Sequence, residues 1–200
     1  MAGEMVKYRA TDGVDVELTP EKVVGLIATG GAEPDPRDVA VFIAKCQARG
    51  LNPLAGDCYM TTYKSKQTGR VTSSVVVSKD YYMRTAYAQP TYRGFKAGII
   101  VNNNGQMIYR EGAMVIKGEQ ILGGWAEVHD ERLSNPVHVE VSFDEYDTGA
   151  SLWADKPATM IRKVALVQAL REAYPNAYAG VYDSSEVPEP QEIHVMESEG

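Results

Sequence analysis

Apolar and polar positions alternate with two different periods along this chain. Val39, Phe42, Ile43 and Cys46 fall at i, i+3, i+4 and i+7 and predict an amphipathic helix. Asp35-Pro36 opens it, and Gly50 closes it ahead of Asn52-Pro53. Upstream, Thr19-Pro20-Glu21 predicts a shorter helix to about Ala28. Threonine caps, proline suits the first turn, and glutamate faces the positive end of the dipole. Residues 1–18 are polar and mixed, an edge strand or a loose arm. Residues 57–64 and 70–77 read as two strands joined by a turn at 65–69. Ser78 caps a helix that ends before Pro90.

From residue 92 to 143 the pattern is antiparallel β. A strand at 93–101 meets an Asn-Gly hairpin signal at 102–105. Short strands are expected at about 106–110 and 113–117, and longer ones at 120–130 and 137–143. In the last, Val137, Val139, Val141 and Phe143 alternate with His138, Glu140 and Ser142, so one face is buried and one is wet. Residues 147–155 read as a loop holding Trp153.

The stretch 156–174, KPATMIRKVALVQALREAY, predicts one long helix. Asp155 is the expected N-cap, Pro157 suits the first turn, and Pro175-Asn176 stops it. Met160, Ile161, Val164, Leu166, Val167, Leu170 and Tyr174 point all round the axis, the mark of a buried helix. It nevertheless carries Arg162, Lys163, Gln168 and Arg171, with Lys156 at its start and no acid before Glu172. Cations on a buried helix need partners, because an unpaired buried charge costs several kcal/mol. Carboxylates elsewhere in the fold would serve, and so would an arriving anion such as a nucleic-acid phosphate.

Composition narrows the class. Two hundred residues suggest one domain with appendages, and 44% hydrophobic with 24% charged content is ordinary for a globular protein. No apolar run is long enough to span a membrane, and the N-terminus lacks a secretory core. Cys46 and Cys58 fit a reduced, cytoplasmic protein. The net charge of −7 argues against nucleic acid only when taken whole. Residues 183–200 hold six acids and no Lys or Arg, which leaves 20 basic against 21 acidic residues in the remainder. Residues 59–96 carry seven cations (Lys64, Lys66, Arg70, Lys79, Arg84, Arg93, Lys96) against Asp80 alone. Residues 97–155 carry three basic and ten acidic residues. Three segments follow: an N-terminal arm with a short helix (1–34), a core (35–182) and an acidic tail expected to be disordered (183–200).

No P-loop or dinucleotide fingerprint occurs, and His129, His138 and His194 lack zinc spacing. Asp144, Glu145 and Asp147 could hold a metal in a nuclease, though no lysine stands at suitable spacing. What is present is positive charge interleaved with tyrosine. Residues 59–96 hold Tyr59, Tyr63, Tyr81, Tyr82, Tyr87 and Tyr92 among the seven cations. Cations track a phosphate backbone and flat rings stack on exposed bases, a composition that suits single strands. Tyrosine is also a good core residue, so most of the six are expected to be structural.

Several stretches together resemble the phage Bet/RecT (Redβ-type) single-strand annealing proteins. They are GLNPLAGDCYMTTY (50–63), VVVSKDYYMRTAYAQPTYRGFKAGIIV (75–101), YREG (109–112) and GGWAEV (123–128), then W-x-x-x-P-x-x-M-x-R-K-x-A-x-x-Q-x-x-R (153–171) and AGVYD (179–183). The resemblance implies an α+β fold of antiparallel hairpins around a long central helix, distantly similar to the Rad52 annealing core. It implies rings or helical filaments that bind single-stranded DNA and the annealed duplex in the bacterial cytoplasm. No cofactor is implied: annealing needs no ATP, with Mg2+ as a modulator. A 5′→3′ exonuclease and the host single-strand binding protein are the implied partners, with no membrane.

Carried over by motif, Arg162, Lys163, Gln168 and Arg171 are the first DNA-contact candidates, with Lys156 at the helix start. Lys79, Arg84, Arg93 and Lys96 come second, and the hairpin tip Lys64, Lys66 and Arg70 third. Trp153 is expected to pack or line the groove rather than read a base. Ala158 and Thr159 stand where some members have two basic residues, and an acidic run follows Asp183 where longer members carry a helical partner-binding domain. An adaptor with an incidental basic patch and a metal-dependent nuclease are the other readings of this sequence.

Overall fold

The structure, a computed structural model, describes residues 5–64, 69, 71–150 and 152–179. Lys66, Arg70 and the acidic segment 183–200 lie outside them. The described residues divide into two units, one ending at Tyr81 and one beginning at Tyr82. The chain is mixed α+β, and among the described residues all strand pairings but one are antiparallel.

The first unit opens with a hairpin, β1 (Val6–Arg9) against β2 (Asp15–Leu18). The turn α1 (Pro20–Lys22) follows, capped by the Thr19 hydroxyl, which accepts from the Lys22 amide at 3.3 Å. The helix expected to run on to Ala28 instead widens into a π-turn over Val23–Ile27, which buries Val23 and Ile27 and leaves Leu26 exposed. The short β3 (Ala28–Thr29) then pairs parallel to β4 (Cys58–Lys64), and β4 pairs antiparallel to β5 (Val71–Val77). Between them runs α2 (Pro36–Arg49), started by the Asp35 cap and stopped by Gly50 at φ 59°. Its stripe Val39, Phe42, Ile43 and Cys46 is buried. The free thiols of Cys46 and Cys58 lie 3.6 Å apart in that core.

The unit boundary falls within α3 (Lys79–Tyr87), whose Tyr81 amide is capped by Ser78 at 3.2 Å. The second unit is a four-stranded sheet in the order β7-β6-β8-β9. Its strands are β6 (Tyr92–Asn103), β7 (Gln106–Glu111), β8 (Gln120–Asp130) and β9 (Val137–Ser142). Asn104 (φ 51°) and Gly105 (φ 87°) make the tight turn between β6 and β7, as an Asn-Gly pair should. Short turns α4 (Phe143–Tyr146) and α5 (Leu152–Asp155) lead to α6 (Pro157–Ala173), and α7 (Pro175–Tyr178) closes the unit. Helix α6 packs on β8, β9 and β6. It buries residues from Ala158 to Ala173 on most of its circumference, as its lack of a polar face predicts.

Further expectations give way: part of the 147–155 loop is the helical turn α5, which holds Trp153, and Phe143 opens α4 instead of ending β9. Asp155 does not cap α6: it ends α5, and Lys156 takes the cap position with no side-chain bond. Residues 113–117 are not a strand. β7 and β8 are both antiparallel to β6, so they are parallel to each other and flank it. The segment 112–119 must therefore return across β6, and a crossover cannot also pair as a neighbour in the sheet.

The turn after β8 is locked by a buried carboxylate. Asp130, whose side chain is 0% exposed, accepts from Arg132 Nε at 2.8 Å and Nη2 at 2.9 Å, and from the Thr91 hydroxyl at 2.6 Å. Arg132 above all, helped by Thr91 and the Arg132 amide against the cost of burial, holds this carboxyl well below the usual carboxylate range. A depressed acid stabilises the fold above its unfolded pKa and loses that effect as pH falls toward its folded value. Asp130→Asn should therefore be less stable than wild type near neutrality, with the gap narrowing below about pH 4. Urea melts at the two pH values check this, and a gap that does not change contradicts it.

Candidate nucleic-acid interface

Helix α6 sits close to the sheet because Gly124 of β8 has no side chain. A Cβ there would lie 2.4 Å from the Ile161 carbonyl oxygen. The close approach brings Arg162 over β6, where its Nε donates to the Ala97 carbonyl at 3.1 Å. That carbonyl also accepts from the Gly112 amide at 3.0 Å. Arg162 is half-buried, and its two terminal nitrogens have no hydrogen-bond partner or carboxylate among the described residues. A guanidinium anchored through Nε presents its other edge as a fork, the geometry that grips a phosphate.

The other α6 candidates face different ways. Arg171 stands nine residues after Arg162 and so is about half a turn out of phase with it. Lys163 and Arg171 are half-buried and each already interacts with the protein. Gln168 Nε2 donates to the Tyr146 hydroxyl. Lys156 is exposed at the helix start. Trp153 is 8% exposed and packs edge-on to Phe143 with ring centroids 6.1 Å apart, so it is a packing residue.

Strand parity separates Lys96 from this group. Gly124 and Ala126 face α6, while Lys96 pairs with Glu127 on the opposite face. There Glu127 and Glu140 flank His138 at 3.3 and 3.0 Å, and Tyr109 donates to Glu140 at 3.0 Å. Glu140 above all, with Glu127, raises the His138 pKa. Arg93 is held by Glu131 and by the Pro90 and Tyr92 carbonyls. Arg84 is exposed on α3 and already interacts with the protein. Lys64 and Lys79 are exposed, both in the first unit. Among the described candidates of the second unit, Lys96 and the α6 cations do not share one face. Among the described α6 candidates, Arg162 is tethered through Nε to a backbone carbonyl, with its terminal nitrogens unpartnered by any described residue.

A family model described as the RecT family matches residues 26–197. The chain belongs to the RecT family. It is also 30% identical over 137 residues to an uncharacterized protein of Ureaplasma parvum serovar 3, covering 68% of this chain and 54% of that relative. The RecT-family chain thus spans about half the length of the curated relative it matches.

The tyrosines of the basic segment in this RecT-family chain divide: Tyr59 is 38% exposed, and others are buried. Tyr81 and Tyr82 are buried, and Tyr82 lies against Tyr178 with ring centroids 5.0 Å apart. Tyr87 is 68% exposed. Two further cations lie in the segment 97–155, whose acidic sum hides them from a reading by composition. Arg110 of β7 reaches Glu119 at 2.5 Å. Lys117 is exposed with no partner among the described residues. Only the crossover, which local patterning does not reveal, sets them beside the α6 face. Among the described residues no group of three or more His, Cys, Asp or Glu is placed to hold a metal ion. No helix among them is long and apolar enough to cross a membrane.

Proposed function

We propose that this chain binds single-stranded DNA and promotes annealing of complementary strands in homologous recombination, without ATP and without making or breaking a bond. Membership of the RecT family supports this reading. The observation that carries it is Arg162: a guanidinium tethered to Ala97 on a largely buried helix, with its terminal nitrogens unclaimed among the described residues. The barrier to annealing is the search for register between two self-repelling strands. Neutralising phosphates lowers the repulsion, and holding bases extended lowers the ordering cost.

One subunit of 21.9 kDa spans only a few nucleotides, so the activity calls for a homo-oligomer, a ring or helix built through a head-to-tail interface. A core distantly similar to that of Rad52 fits this role. So does a cytoplasmic setting beside a 5′→3′ exonuclease and a single-strand binding protein.

The test is pairing of two labelled complementary oligonucleotides, with no nucleotide added. The chain should accelerate pairing, and the acceleration should weaken as salt rises. No acceleration would leave an adaptor as the better reading. Shortened DNA in the presence of a divalent metal would favour a nuclease using Asp144, Glu145 and Asp147.

A further inference from the structure

The crossover between β7 and β8 displays an apolar tip. Met114 is 67% exposed, Val115 39% and Ile116 51%. Consecutive apolar side chains in water are unfavourable, and a flexible loop would turn some of them inward. This one is held in place. Its base is the Arg110–Glu119 pair at 2.5 Å, with side chains 18% and 1% exposed. Glu119 Oε2 accepts from the Ile116 amide at 2.8 Å, and the Glu119 amide donates back to the Ile116 carbonyl at 3.0 Å. Gly118, at φ 96°, lets the turn close. A buried carboxylate is costly unless paired, so a fold that spends one here holds the tip outward against its own hydrophobicity.

The surroundings of the tip say what it meets. Arg110 pairs in register with Ile99, and Ile99 with Gly124, so the crossover lies on the face that α6 covers. Its first residue, Gly112, shares the Ala97 carbonyl with Arg162. The tip therefore springs from the same backbone atom that positions the guanidinium fork. Lys117 follows the three apolar residues directly and is exposed. Glu119, the acid of the turn, is neutralised by Arg110 and withdrawn from solvent. An apolar wedge with a cation at its edge, rooted at an anion seat, fits unstacked bases on a phosphate backbone. Methionine and isoleucine are side chains that wedge between bases.

We propose that Met114, Val115 and Ile116 contact the bases of the strand whose phosphate sits on Arg162, with Lys117 on a neighbouring phosphate. This rests on the single-strand reading above. The test is fluorescence anisotropy with a labelled oligo-dT and with an abasic oligonucleotide of equal length. Wild type is compared with Met114→Ser/Ile116→Ser, alongside native mass spectra and circular dichroism. Both positions are solvent-facing and the Arg110–Glu119 base is untouched, so the variant should fold.

The expected result is about tenfold weaker binding to oligo-dT and unchanged binding to the abasic strand. The salt slope and subunit number should stay the same. Equal losses on both strands, or no loss, would overturn the proposal. So would a fall in subunit number with unchanged affinity, which would assign the tip to a second copy of the chain. Wild type that ignores oligo-dT would take down the single-strand reading along with it. Wild type that binds while the variant binds equally removes the tip alone.

Discussion

Gly124→Ala should loosen α6 from the sheet and cost about 3 kcal/mol of stability. The new Cβ would meet the Ile161 carbonyl oxygen at 2.4 Å, its carbon at 2.8 Å and the Arg162 amide at 3.2 Å. These are backbone atoms, so no rotamer change relieves the overlap, and the helix or the strand has to move. Movement would also strain the Arg162–Ala97 bond at 3.1 Å, so DNA affinity should fall with stability. Gly25 is the control. Nothing lies within 4 Å of a Cβ placed there, so Gly25→Ala should leave both quantities close to wild type. Urea unfolding followed by circular dichroism reads the difference. A Gly124→Ala protein as stable as Gly25→Ala would mean the helix does not seat as closely as described.

Arg162→Ala should weaken binding to single-stranded DNA by about tenfold, similarly across sequences. Arg162→Lys should recover only part of this. A lysine ammonium can reach the Ala97 carbonyl or a phosphate, but it lacks the planar fork that serves both together. The side chain is half-buried and its removal leaves no buried acid unpaired among the described residues, so folding should survive. Anisotropy with oligo-dT of differing lengths measures the loss. Lysine performing as well as arginine would reduce Arg162 to a point charge and remove the argument from its tether.

The elements were legible where local rules suffice. The four-residue stripe of α2, with its Asp35 cap and its Gly50 stop, needs only periodicity and terminal chemistry. The span of β8, 120–130, was readable in the same way, and so was the burial of α6 all round its axis. Legibility ended where a residue's meaning depends on which strands are neighbours. The run Met114–Lys117 looks like a strand by composition, and only the parallel placement of β7 and β8 about β6 makes it a crossover.

Lys96 shows the same limit. It stands among cations and tyrosines in the chain, yet strand parity turns it to Glu127, away from α6. Arg93 likewise counts as a cation in composition but is spoken for by Glu131 and two carbonyls. Arg162 stands out in the sequence because a charge on a largely apolar helix needs a partner. What the sequence could not supply is the tether to Ala97, a contact across 65 residues.

The most direct measurement is the salt dependence of oligo-dT affinity for the folded Arg162→Ala/Arg171→Ala protein beside wild type. If cations of α6 displace counterions from a bound strand, the plot of log Kd against log salt should flatten by about one to two units in the double variant. Its affinity at low salt should drop as well. Superimposable lines for the two proteins would show that these guanidiniums touch no phosphate, and that the greasy helix carries them for the fold alone.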